Sequence, residues 1–126
     1  MRRPGSLAEV ARWTGSREAF FPHLRDLLDQ FSIERRPEML AEEPPRLAGS
    51  IEEGDVADAY LAAVAVALCR SAGVVPPAWT RGTGRALRSP WFAHPGASLR
   101  ATLILESPAS FRERNLFVSE NALFRA

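Results

Sequence analysis

From Ala59 to Cys69 the chain runs through eleven consecutive apolar residues, within the longer segment DVADAYLAAVAVALCRSAG of Asp55–Gly73. A helix there has no polar face and must be covered on every side. Crossing a bilayer takes about 20 such residues, so the run is a core element rather than a span. Asp55 or Gly54 can cap its start, Arg70 suits the carboxyl-terminal dipole, and Gly73 supplies a left-handed stop. Five of the eleven are alanines, which let neighbouring helices approach closely. Leu61, Val64 and Leu68 fall on helical spacing within the run and are the expected core residues.

The remaining segments read as elements that cover this helix. Ser6-Leu-Ala-Glu9 has the form of a capping box and opens a short helix through about Trp13, stopped by Gly15. Ser16 can cap a second helix, whose Phe20, Phe21, Leu24, Leu27, Leu28 and Phe31 recur by threes and fours. Pro22 lies in its first turns, so the helix is expected from there onward. The pair has the outline of a helix-turn-helix, with Ala11, Gly15 and Phe21 at the expected offsets. Pro22 would fall inside the recognition helix and few basic residues face outward, so the two read as packed structural helices.

Residues 34–54 read as a surface connection, with one helical turn from Pro37 that Pro44-Pro45 must end. Between Glu34 and Asp58 eight acids face three arginines, a local charge of −5 that makes a solvated face or a dock for a basic partner. Residues 74–97 form an irregular loop rich in proline and glycine. Trp79, Trp91 and Phe92 are costly to expose, so this loop should bury them against the helices, with one helical turn between Thr83 or Gly84 and Leu87. Ser98 can cap SLRATLILES, which ends at Pro108. The segment also suits a buried strand, but no second strand candidate is convincing, so helix is preferred. A short helix or turn should run from Ser107-Pro108 through Arg114, and Ser119 can cap a last one holding Ala122, Leu123 and Phe124.

The expectation is therefore an all-α fold, a single domain over residues 1–126. It is a helical bundle around a central buried helix at about 55–72, with an irregular aromatic loop at about 74–97. A chain of 126 residues suits one such domain.

Several chemistries are excluded by residue type. All sixteen basic residues are arginine, the usage a GC-rich coding sequence produces. Without lysine there is no phosphate-loop lysine, kinase lysine or Schiff base. One cysteine, Cys69, excludes an internal disulfide and a multi-cysteine zinc site, and within the apolar run it reads as an inert thiol. His23 and His94 belong to no metal-binding pattern, and no G-x-S-x-G elbow occurs. No cofactor, metal or catalytic residue is assigned. The amino terminus has basic residues without an apolar stretch behind them, which points to a cytoplasmic protein with no signal peptide.

The charge is uneven along the chain. Residues 1–63 hold eight arginines and twelve acids, net −4; residues 64–126 hold eight and three, net +5. Two halves that attract one another, or an anion-binding half, would carry such a pattern. The segment ESPASFRERNLF crowds Glu106, Arg112, Glu113, Arg114 and Asn115 between apolar residues. A charge drawn to the core boundary needs a partner. Glu106 with Arg112 or Arg114 is the structural pairing. The functional one is an arginine–asparagine clamp for a carboxylate, a phosphate or a partner backbone.

The pieces AEEPP, AYLAAVAVAL, PPAW, PWF and LRATLILESPASFRERNLFVSENALFRA, in this order, resemble a family of small actinobacterial helical proteins, over most of the chain from about Leu24 onward. The order PWF, then ESP followed by FR and RN, carries the resemblance. It implies an intracellular binding protein found in toxin–antitoxin-like gene neighbourhoods rather than an enzyme, and it transfers no catalytic residue.

Three functions follow as expectations. The first is a protein-interaction module, an antitoxin-like partner protein, binding through Trp79, Trp91, Phe92, Arg100, Glu106, Arg112, Arg114 and Asn115. The second is a small enzyme or ligand-binding domain with a cleft near His94, Arg100 and Glu106. The third is nucleic-acid binding through the basic carboxyl-terminal half. It is the weakest because the whole chain carries only +1 and the acidic 34–58 stretch would repel the polymer.

Overall fold

Helix starts are set by local chemistry, and the computed structural model, which describes residues 2–94, 96–119 and 122–123, shows how. Ser6 opens α1 (Leu7–Trp13): its Oγ accepts the Glu9 N–H at 3.1 Å, and Glu9 Oε1 accepts the Gly5 N–H at 2.8 Å. This is the expected capping box with its return bond moved one residue outward. Helix α2 (Arg17–Glu34) starts earlier than Pro22 suggests, and Ser16 stands at its N-cap without a side-chain capping bond. Pro22 removes a single N–H, whose acceptor would lie in the exposed first turn, so the helix continues through it. Phe20, Leu24, Leu27 and Phe31 form its buried stripe. Helix α3 (Glu38–Ala41) is the single turn behind Pro37.

Helix α4 (Gly54–Ala72) is the central element, and of the eleven residues 59–69 only Ala67 and Leu68 are not fully buried. Leu61 and Val64 are completely enclosed, while Leu68 is half-buried toward the helix end. The start differs from expectation. Neither Asp55 nor Gly54 is the cap: Glu53 takes a left-handed φ of 57° and Gly54 begins the helix. Gly54 is fixed by close approach instead, because a Cβ there would stand 2.0 Å from the Leu47 carbonyl oxygen. The other end stops as expected at Gly73, with φ 73°.

The 34–54 connection is more than surface. Asp58 of α4 is 1% exposed and accepts the Leu47 N–H at 2.7 Å and the Ala48 N–H at 3.1 Å. That carboxylate pins the connection to the core and brings Met39, Leu40 and Leu47 inside.

Beyond α4, a 3-10 turn (Ala78–Arg81) buries Trp79, whose Nε1 donates to the Leu40 carbonyl at 3.1 Å. The expected helical turn at 83–87 is a non-helical bend instead. Two strands of two residues, β1 (Trp91–Phe92) and β2 (Leu116–Phe117), pair in parallel with Trp91 opposite Leu116. Between them lie α5 (Ala97–Glu106) and α6 (Ala109–Arg112). The 98–107 segment forms a helix, and its N-cap position is Gly96 rather than Ser98. The last expected helix falls mostly outside the described residues; Ala122 and Leu123 pack on the core edge. The domain is thus mostly helical, as expected. Among the described residues no helix is long and apolar enough to cross a membrane.

Candidate functional site

The carboxyl-terminal segment holds the aromatic loop through backbone bonds. The Leu87 N–H donates to the Arg114 carbonyl at 3.1 Å, the Trp91 N–H to Asn115 at 2.8 Å and the Ala93 N–H to Phe117 at 2.9 Å. Asn115 makes this possible. It sits at φ 61°, a left-handed turn that asparagine tolerates, and its Nδ2 donates to the Leu87 carbonyl at 2.8 Å. Asn115 is therefore committed to the fold rather than to an open clamp.

The arginines of this segment separate. Arg112 is exposed. Arg114 is 8% exposed, and its guanidinium donates to the carbonyls of Ser110 and Thr80, both at 3.0 Å. The expected pairing with Glu106 does not form; the nearest carboxylate is Glu113, 3.6 Å from Arg114 Nη1. Chain geometry explains the change. Glu106 ends α5, while Arg114 follows α6 and reaches back across it to the 3-10 turn, where carbonyls are the available acceptors. Burial, outweighing the pull of Glu113, holds this guanidinium below its usual pKa.

Arg85 is a second buried arginine, outside the set of residues that the sequence singles out. Arg85 has a fully enclosed side chain and donates to the Pro44 carbonyl at 2.6 Å, to Glu43 Oε2 at 3.2 Å and to the Asp58 carbonyl at 3.3 Å. Asp58 Oδ1 lies 3.8 Å from its Nη1, and the guanidinium stands over Trp79 at 4.9 Å from the ring centre. Asp58 and Arg85 join the acidic and basic halves through the core. Nothing in their immediate sequence marks this, since Arg85 sits in a glycine-rich stretch that reads as loop.

The aromatic residues take three roles. Trp79 is core. Trp91 is half-buried, with its Nε1 donating to Glu53 Oε2 at 3.2 Å. It borders an open groove of about 440 Å³ beside the first turn of α4, together with Asp55, Val56, Leu87, Arg88 and Pro90. Phe92 stacks on Phe117 with ring centres 5.0 Å apart, and Arg100 lies over Phe92 at 4.9 Å.

Arg100, a residue of α5, is exposed, as is His94, while Glu106 is partly buried. Of these three, none lines the Trp91 groove. Helix α5 has the most unusual surface. Leu103 is 3% exposed, but Leu99 and Ile104 are each 45% exposed and Leu105 is 80% exposed. Ser107 fastens the end of α5, donating to the Leu103 carbonyl at 2.5 Å while accepting the Val118 N–H at 2.8 Å. Among the described residues there is no group of three or more side chains able to hold a metal ion.

No protein-family model, curated protein or solved structure matches the chain.

Proposed function

We propose that the protein is an intracellular protein-interaction module and that α5 is its docking element. One observation carries this reading: a helix with apolar residues on several faces buries only Leu103 among its described side chains, leaving Leu99, Ile104 and Leu105 open. A helix of that composition belongs in an interior. Three open apolar side chains on one short helix are surface that a protein partner would cover. Arg100, held over Phe92 beside Leu99, adds a cation at the rim. The antitoxin-like role implied by the resemblance is the form this reading takes if the partner is the product of a neighbouring gene.

The test is site-specific photo-crosslinking in the native cell, with the reactive group at Leu105 and a control at exposed Arg25 of α2. A single mapped protein crosslinked from Leu105, and lost on Leu99→Asp, supports the module. Equal labelling from both positions overturns it. An adduct with a second copy of the chain replaces it with self-association.

A further inference from the structure

Beside the 3-10 turn lies an open cleft of about 190 Å³, lined by Thr80, Arg81, Arg85, Glu113 and Arg114 among others. It is smaller than the pockets of roughly 300 Å³ and above that enclose drug-sized ligands. A single small group fits that size.

The charges around it do not balance. Arg85 and Arg114 are both buried, with Arg46 and Arg70 close enough to act on them, and Arg81 stands exposed on the cleft wall. Against these five guanidiniums stand three carboxylates, Glu43, Asp58 and Glu113, an excess of two positive charges. Glu113 is divided further, since its oxygens lie 3.6 Å from both Arg70 and Arg114. Arg114 is held by carbonyls, which satisfy donors without cancelling charge. The Nε atoms of Arg85 and Arg114 are buried with no partner in the protein. Buried polar groups are ordinarily satisfied, so two buried arginines on one cleft, each with an unpartnered Nε and one with no carboxylate nearer than 3.6 Å, require a reason.

We propose that this cleft binds a phosphate-type dianion. Two negative charges would cancel the local excess, which a monocarboxylate would only halve. Arg81, exposed on the wall, supplies the direct donors, and Arg114, whose Nη atoms already donate to carbonyls, adds its charge beside it. Arg85, wholly enclosed, supplies charge from below without touching the ligand. Guanidinium forks match phosphate oxygens in geometry as well as charge. The site does not depend on α5 or on the interaction reading.

The test titrates inorganic phosphate into the full chain by calorimetry and by phosphorus NMR line broadening, with chloride holding ionic strength constant and acetate as the monoanion control. Direct binding is read because phosphate also raises melting temperatures without occupying a site. Saturable phosphate binding is expected, weakened at least about tenfold by Arg81→Gln, since a hydrogen bond to a charged group contributes on that scale. Arg25→Gln, exposed on α2 and off the cleft, should bind as wild type. Phosphoserine binding more tightly than phosphate assigns the dianion to a phosphorylated chain, and equal affinity assigns it to the free ion; both uphold the site. No saturable binding, acetate binding as well as phosphate, or Arg81→Gln matching wild type overturns it.

Discussion

Helices α4 and α5 are both rich in apolar residues, yet one is sealed and the other left open. The surroundings make the difference. Around α4 the chain has built a close fit: Gly54 admits the Leu47 carbonyl, alanines admit neighbouring helices, and Asp58 ties down the connection that covers the amino-terminal half. Around α5 there are two strands of two residues each, met at β2 and through Arg100 over Phe92, one buried side chain among those described and the Ser107 fastening. Apolar composition thus states a demand for cover. Whether the cover comes from the same chain depends on polar anchors and close approaches that hold flanking segments in place.

The comparison breaks first if the anchors of α4 are unimportant. Asp58→Ala removes the acceptor of two backbone N–H groups, that of Leu47 buried, and leaves Arg85 with only the half-exposed Glu43 as a carboxylate partner. Stranding a buried charge in this way costs about 3–5 kcal/mol. Urea melts should show that loss at neutral pH. A change below about 1 kcal/mol would mean that the connection holds without its anchor.

Packing gives the next effect. Leu61 is fully enclosed, so Leu61→Ala should cost about 2–5 kcal/mol by transfer and cavity terms. The same truncation at half-buried Leu68 should cost clearly less. Equal losses would show that α4 is not graded in burial from its centre to its end.

These sites also show what was legible in the chain. The eleven-residue apolar run locates the central helix because no alternative folding leaves it dry, and the stripe from Phe20 to Phe31 locates α2 by its spacing. The Gly73 stop and the Ser6–Glu9 box are local chemistry and read directly. Asp58–Arg85 was hidden because its partners are 27 residues apart and the arginine lies in irregular chain. The parallel pairing of Trp91–Phe92 with Leu116–Phe117 was hidden for a related reason: two residues carry no periodicity. The pairing of Glu106 with Arg114 was suggested by proximity in sequence, but α6 intervenes and turns Arg114 toward carbonyls instead.

Tyr60 tests the seal of α4 through pH. Its ring meets Phe111 edge-on at 4.9 Å, and burial pushes its hydroxyl pKa up to about 12 from 10.0. The folded state therefore keeps a proton that the unfolded chain releases. The stability this represents is whole below about pH 10 and is lost as pH rises toward 12, in total about 2–3 kcal/mol at about 1.4 per unit. Wild type and Tyr60→Phe should be compared across pH 9–12 by denaturant melts. The wild type should lose more stability over that interval than the variant. Parallel curves would show that water reaches Tyr60 and that the helix is less sealed than its burial states.

The smallest effect falls on α5, where the comparison is sharpest. Leu105 is 80% exposed, so Leu105→Ala removes little buried surface and should shift stability by less than about 0.5 kcal/mol. Leu103, two residues earlier and 3% exposed, should behave as a core residue, losing about 2 kcal/mol or more. The contrast within one helix matters more than either value, because both are leucines truncated identically. If both melt like wild type, α5 contributes nothing to the free domain and only a partner orders it. If both are costly, Leu105 is covered in the free protein, by self-association that dilution would reverse, and melts repeated over a hundredfold range of concentration would expose it. A costly Leu103 beside a silent Leu105 leaves a helix that Leu103 docks on the domain while Leu105 stays open, which is the contrast with α4 at its sharpest.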